Sequence, residues 1–211
     1  MDCNGHGTHV AGTVGGRTYG VAPKADLISV RVLGCDGRGS YAGMIAGIDW
    51  VAANARHPAV LNGSLGGDYS DALNQAVNAL ADAGVLPVIA AGNDADDACL
   101  TSPASAERAF TVGASNRRDQ ESAFSNHGRC VELYAPGEAI VSARLGGGSE
   151  ALDGTSMASP HAAGVAALYE QARPNALPEE VAGFLLREST EGVLTRVSPG
   201  SPNRLLHTGG L

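Results

Sequence analysis

Two short segments at opposite ends of the chain hold the residue types that acyl transfer needs. The first is Asp2-Cys3-Asn4-Gly5-His6-Gly7-Thr8-His9-Val10-Ala11-Gly12, and the second is Gly154-Thr155-Ser156-Met157-Ala158-Ser159-Pro160-His161. A histidine base and a serine nucleophile are the two proton-handling members of a Ser-His-Asp triad. Ser156 opens a helical pattern. It reads either as a helix cap or as a hydroxyl held beside backbone N–H groups that can receive an oxyanion. Only five residues precede His6, which leaves little room upstream for a carboxylate to orient its ring. His6 and His9 beside Asp2 also invite a metal reading. Zinc hydrolase motifs place paired histidines at i and i+4 around a glutamate, and this segment does not.

The elements that must position these residues can be read from the pattern of the chain. With 211 residues it fits one domain, and 44% hydrophobic against 4% aromatic content makes the core aliphatic. Leu27–Leu33, Val60–Leu65, Val85–Ala90, Phe110–Ala114, Val131–Tyr134 and Ile140–Ala143 read as buried strands near Gly, Asn or Pro signals. Met44, Ile45, Ile48, Val51 and Ala52 mark one helix face, and Leu73, Ala76, Val77 and Leu80 another. Residues 158–172 read as a long buried helix and 179–187 as a short amphipathic one, with Pro178 suited to its first position. The alternation predicts an α/β domain, a mostly parallel sheet with helices on both faces. Sites in such sheets gather beyond the C-terminal strand ends, where Asn62–Gly67, Ala90–Asn93 and the loop before Ser156 converge.

Bulk properties narrow the partners. A net charge of −8 argues against nucleic acid, and no apolar run approaches the roughly 18 residues of a membrane span. No signal peptide pattern opens the chain. Its four cysteines, Cys3, Cys35, Cys99 and Cys130, include no Cys-x-x-Cys pair. Zinc is disfavoured by that spacing, and disulfides in any of the three pairings, or buried thiols, remain open.

Taken together, the motifs resemble those of the subtilisin-like serine endopeptidases, the subtilase family, and within it the proteinase K branch. The shared blocks are His6–Gly12, Ser64–Gly67, Ala90–Asn93, Ser102–Ser105, Phe124–Gly128, Ala135–Gly137, Gly154–His161 and the tail Gly200–Leu206, in collinear order over residues 2–207. The resemblance implies a three-layer subtilisin-like fold and hydrolysis of peptide bonds through an acyl-enzyme. It makes Ser156 the nucleophile, His6 the general base and His9 a packing residue, with Asn93 donating to the oxyanion beside the Ser156 N–H. It also implies that Gly37, Arg38 and Gly39 on one side and Ser64, Leu65 and Gly66 on the other pair with an extended substrate. Ala90, Ala91 and Gly92 would form one wall of the pocket before the scissile bond, and Tyr41 would border a more distant subsite.

The same resemblance selects the disulfides Cys3–Cys35 and Cys99–Cys130, and with them an extracellular destination. It implies protein or peptide substrates, a propeptide in the full-length protein, a monomer, and no cofactor for catalysis. It places a structural calcium at Glu107, Ala109 and Glu132, where the family's usual carboxylate is an aspartate.

One family feature has no counterpart. The subtilase order is Asp, His, Ser, and the Asp sits on a strand well upstream of the histidine. Asp2 matches a non-triad position, while Asp26, Asp36 and Asp49 come too late. The expectation is therefore a partial catalytic domain over 1–211 that lacks the Asp-bearing strand, folds poorly by itself and is weakly active or inactive. The alternatives are a non-catalytic subtilase-like protein-binding module and, more remotely, a metal-dependent hydrolase.

Overall fold

The computed structural model describes residues 1–211. Five α-helices are present: α1 (His6–Gly15), α2 (Tyr41–Asn54), α3 (Asp71–Asp82), α4 (Thr155–Ala172) and α5 (Pro178–Glu188). The strands are β1 (Val60–Gly63), β2 (Gly67–Asp68), β3 (Leu86–Ala90), β4 (Thr101–Ser102), β5 (Phe110–Ser115), β6 (Leu133–Pro136), β7 (Ile140–Ala143), β8 (Ser149–Leu152), β9 (Thr190–Glu191) and β10 (Arg204–Leu205). A six-stranded sheet runs in the order β1-β3-β5-β6-β10-β9. All its pairs are parallel except β10–β9. β2 pairs with β4, and β7 with β8, as separate antiparallel ribbons.

Side chains alternate across the pleat, so each central strand feeds both faces. Along β3, Leu86 and Val88 join the layer under α4 and α5, while Ile89 joins the layer under α2 and α3. Helices thus cover both faces, and the three-layer α/β architecture is present. Local chemistry sets the helix starts. Ser40 Oγ accepts the Gly43 N–H (3.1 Å) and Ser70 Oγ the Leu73 N–H (3.4 Å), while Pro178 occupies the first position of α5. No helix is long and apolar enough to cross a membrane.

The structure departs from the sequence reading in three places. Leu27–Leu33 is extended but joins no strand, and Leu27 and Ile28 are 49% and 68% exposed. Strand residues form a strand only where a neighbour offers its ladder, and here none does. Ile140–Ala143 forms a strand in the two-stranded β7–β8 ribbon, half-exposed, instead of in the main sheet. The third is α1, a helix where the sequence reading assigns no element, and its three glycines in ten residues disfavour one.

External contacts hold α1 together. Its N-cap, Gly5, has no side chain to offer, and the Asp2 carboxylate serves instead. Asp2 accepts from the N–H groups of Asn4 (2.9 Å), Gly5 (3.0 Å) and Thr8 (2.8 Å) and from the Thr8 hydroxyl (2.6 Å). These bonds, the Thr8 hydroxyl foremost, hold the Asp2 carboxyl far below the usual carboxylate range. Behind it, His9 Nε2 faces the carbonyls of Ile140 (2.9 Å) and Glu150 (3.2 Å), which makes that nitrogen the protonated one. The Ser142 hydroxyl donates to His9 O at 2.8 Å, so the β7–β8 ribbon clamps the helix from one side while α4 packs on another.

Glu170 near the end of α4 is buried without a side-chain partner, and burial raises its carboxyl from 4.5 to about 7. The folded chain therefore binds more protons than the unfolded chain between those values, and stability falls as pH rises through that window. Glu170→Gln is expected to melt at a higher temperature than the parent at pH 8. The difference should shrink toward zero by pH 4.5 in melting curves followed by circular dichroism; equal gains at both pH values would contradict it.

Candidate active site

Ser156 is the second residue of α4, where the backbone N–H groups have no carbonyl within their own helix. Gly154, the N-cap at φ +150°, contributes no side chain. Asn93 compensates. Its Oδ1 accepts both the Thr155 N–H (2.8 Å) and the Thr155 hydroxyl (2.9 Å). With the oxygen end pinned, the Nδ2 end faces the Gly154–Ser156 turn, 3.6 Å from where a Cβ on Gly154 would lie. Asn93 itself is exposed and Ser156 half-exposed, so this amide and hydroxyl open onto one surface.

A second set of bonds ties α4 to the end of β1. The Ser159 hydroxyl donates to Asn62 Oδ1 (2.8 Å), Asn62 Nδ2 donates to Ser64 Oγ (3.0 Å), and the Ser64 hydroxyl donates to Ser156 O (2.8 Å). Asn62, Ser159 and Thr155 lie within the motif segments, yet the sequence assigns them no role. Their signal was a run of small hydroxyl and amide residues at strand and helix ends, which sequence cannot tell from capping.

His6 is the first residue of α1, and α1 packs against α4. Neither ring nitrogen hydrogen-bonds to Ser156, to a carboxylate or to any other group of the chain. Burial first, and then the nearby His9, hold the ring below its ordinary 6.5, and Asp2 opposes this weakly. The imidazole is thus kept neutral and able to accept a proton near neutral pH. Asp2 cannot orient it, because both carboxylate oxygens are engaged at the start of α1.

The substrate-side residues fall on loops around this point. Ala90 closes β3, and Ala91 and Gly92 follow, with the Gly92 N–H donating to Thr155 Oγ1 at 3.1 Å. Gly92 has φ +107°, a conformation that suits glycine. Ser64, Leu65 and Gly66 leave the end of β1. Gly37, Arg38 and Gly39 form an exposed turn closed by the Gly34 N–H to Arg38 O bond at 2.7 Å. Tyr41 joins the two sides: its hydroxyl donates to Asp68 O (2.9 Å), just beyond the Ser64–Gly67 segment.

Both disulfides, Cys3–Cys35 and Cys99–Cys130, are formed, and no cysteine is free. Glu107, Ala109 and Glu132 line one cavity of about 190 Å³, remote from Ser156, which Arg108 and Glu179 also border. Glu132 is half-buried, and desolvation raises its carboxyl while Arg204 opposes the rise. No three His, Cys, Asp or Glu side chains cluster as a metal-binding group.

The chain matches the family model described as the subtilase family over residues 1–207. It is 53% identical over 210 residues to an extracellular serine proteinase of Thermus sp. (strain Rt41A), covering 99% of this chain and 51% of that protein. To the alkaline serine exoprotease A of Vibrio alginolyticus it is 51% identical over 207 residues, covering 98% and 39%. Among solved structures, a cold adapted subtilisin-like serine proteinase superposes with a TM-score of 0.97 at 49% identity, covering 99% of this chain and 76% of that one. The chain spans about half the length of the Thermus relative. Fold, motif order and these matches agree: this chain belongs to the subtilase family.

Proposed function

We propose that the chain is the His- and Ser-bearing part of a serine endopeptidase that cleaves peptide bonds through an acyl-enzyme. One observation carries this reading: Asn93 is pinned by its oxygen to Thr155, which leaves an amide donor beside the unpaired Ser156 N–H. Two such donors are what a tetrahedral oxyanion requires. Ser156 attacks the carbonyl carbon, His6 takes its proton and returns it to the leaving amine, and water then releases the acyl group by the reverse route. Backbone groups of Gly37–Gly39 and Ser64–Gly66 hold an extended peptide, Ala90–Gly92 wall the first pocket, and Tyr41 borders a farther one. The two disulfides and the extracellular Thermus relative support a secreted protein.

The absence of a carboxylate bond to His6 limits the rate these 211 residues reach. For subtilisin itself, a member of this family, removing the triad Asp lowers kcat by about 3 × 10⁴-fold, a magnitude taken from that enzyme and not obtained from this structure. Peptide turnover by the purified chain is expected at a comparably depressed level. Covalent labelling of Ser156 by a fluorophosphonate should still occur and should slow as pH falls, with a midpoint below 6.5, because the protonated ring cannot accept the serine proton. His6→Ala should abolish that pH step. A midpoint at or above 6.5, or labelling indifferent to His6, would overturn the assignment. The same unpartnered His6 favours one other reading, a non-catalytic protein-binding module; that reading predicts no labelling at any pH.

Calcium is proposed as a structural ion at Glu132 with the backbone carbonyls of Glu107 and Ala109. The fit rests on a half-buried carboxylate without a hydrogen-bond partner in a small cavity, the kind of hard oxygen donor calcium takes. Millimolar calcium should raise the melting temperature of the chain relative to chelator, and Glu132→Gln should remove the increment. An equal increment in the variant would sink the site.

A further inference from the structure

Asn126 has no role in the chemistry described above, yet it is completely buried and forms four hydrogen bonds to the segment that carries Asn93. Its backbone N–H donates to Gly92 O (2.9 Å) and its Nδ2 to Ala91 O (3.0 Å). Its Oδ1 accepts the N–H groups of Asp94 (2.9 Å) and Asp96 (3.1 Å). Two of these bonds fall just before Asn93 and two just after it. Asn93 is the residue between them left unclamped, and its side chain turns to Thr155. Contact with Gly92 is close enough that a Cβ there would overlap Asn126 Nδ2.

Asn126 is itself fixed to the sheet. The Ser125 hydroxyl donates to Asn126 O (2.9 Å) while its oxygen accepts the Ala114 N–H of β5 (3.0 Å). A rigid path therefore runs from the core of the sheet, through one buried amide, to both flanks of Asn93.

We infer that Asn126 is a positioning residue for the reaction: it sets where the Asn93 amide and the Ala91–Gly92 wall stand relative to Ser156. The inference rests on the proposed peptidase reading for its kinetic consequence, though not for its geometry. Only an amide fits the position. A carboxylate would turn an acceptor toward the Ala91 carbonyl, and an isosteric leucine would leave that carbonyl only the long bond from the Thr101 hydroxyl (3.5 Å) and strip the Asp94 and Asp96 N–H groups of their acceptor. Misplacing a donor by about 1 Å costs on the order of 100-fold in rate.

The test is a double-mutant cycle. Asn126→Leu and Asn126→Asp should each slow Ser156 acylation by a fluorogenic ester substrate about 100-fold. In the Asn93→Ala background the same changes should cost less than about threefold, since the donor they position is already gone. A loss of equal size in both backgrounds marks a merely structural role and overturns the inference, as does no loss in the parent. Nuclear magnetic resonance on the unsubstituted chain gives a reading that needs neither turnover nor a variant. The Asp94 and Asp96 amides should be strongly protected from hydrogen exchange, and free exchange at both would overturn the clamp. Protected amides in a chain that never acylates would leave the clamp standing and dispose of the peptidase reading instead.

Discussion

Four backbone N–H groups at the start of α4 lack carbonyl partners within their own helix, and the site is built from how the fold answers that requirement. A side-chain cap on Gly154 would satisfy them locally and close the turn. Glycine offers none, so partners arrive from elsewhere. Asn93 Oδ1 takes the Thr155 N–H, and Gly154 O takes the N–H groups of Met157 (3.0 Å) and Ala158 (3.3 Å). The Ser156 N–H is left over, next to a side-chain amide whose own acceptor end is already occupied. The site's polarity is a remainder of helix capping. Its position is equally constrained, because α4 lies on the sheet through Ala158, Ala162, Ala163 and Ala166, side chains too small to let the helix drift.

How much of this was legible in the sequence depended on whether the governing contact was local. The continuous apolar runs at Val85–Ala90 and Phe110–Ala114 and the 3.6-period faces of α2 and α3 carry their own signal, and the structure forms a strand or a helix at each. Helix α1 carries no such signal. Its stability comes from Asp2 outside its first turn, from the β7–β8 ribbon and from α4, contacts separated from it by more than a hundred residues in the last two cases. Leu27–Leu33 fails in the opposite sense, with strand composition but no pairing partner. At the site, His6, Ser156 and Asn93 take roles from motifs alone, whereas Asn126, although it lies in the Phe124–Gly128 block, takes none. An asparagine between a serine and a glycine-bearing turn looks like loop chemistry until its four partners are seen.

Buried acids show the same division of labour. Glu121 is as buried as Glu170 is, yet accepts from the Tyr134 hydroxyl (2.8 Å), the Ser198 N–H (2.8 Å) and the Ser198 hydroxyl (2.6 Å). It fastens the segment between β9 and β10 to β6, and burial together with Glu121 pushes the Tyr134 phenol up. Glu170 has no such partners and is the carboxyl raised toward neutrality. Two glutamates of similar exposure thus differ in the donors within reach: three for Glu121 and none for Glu170.

The unpartnered features of this chain differ in what they cost. The outer edge of β1 and the extended Leu27–Leu33 segment expose backbone groups that water can satisfy, so the hydrogen-bond loss there is small. The larger penalty is apolar: Leu27 and Ile28, 49% and 68% exposed, forgo roughly 1–2 kcal/mol each relative to full burial. Both core layers nevertheless close beneath their helices without that contribution. His6 is a different case. Water can hydrate its ring, but on the proposed peptidase reading water cannot hold the ring in one orientation or stabilise the imidazolium that taking the Ser156 proton would create. What the fold can replace with solvent, the chemistry cannot. On the peptidase reading proposed above, the architecture and the oxyanion donors stand in this chain while His6 lacks the carboxylate partner its proton transfer would use.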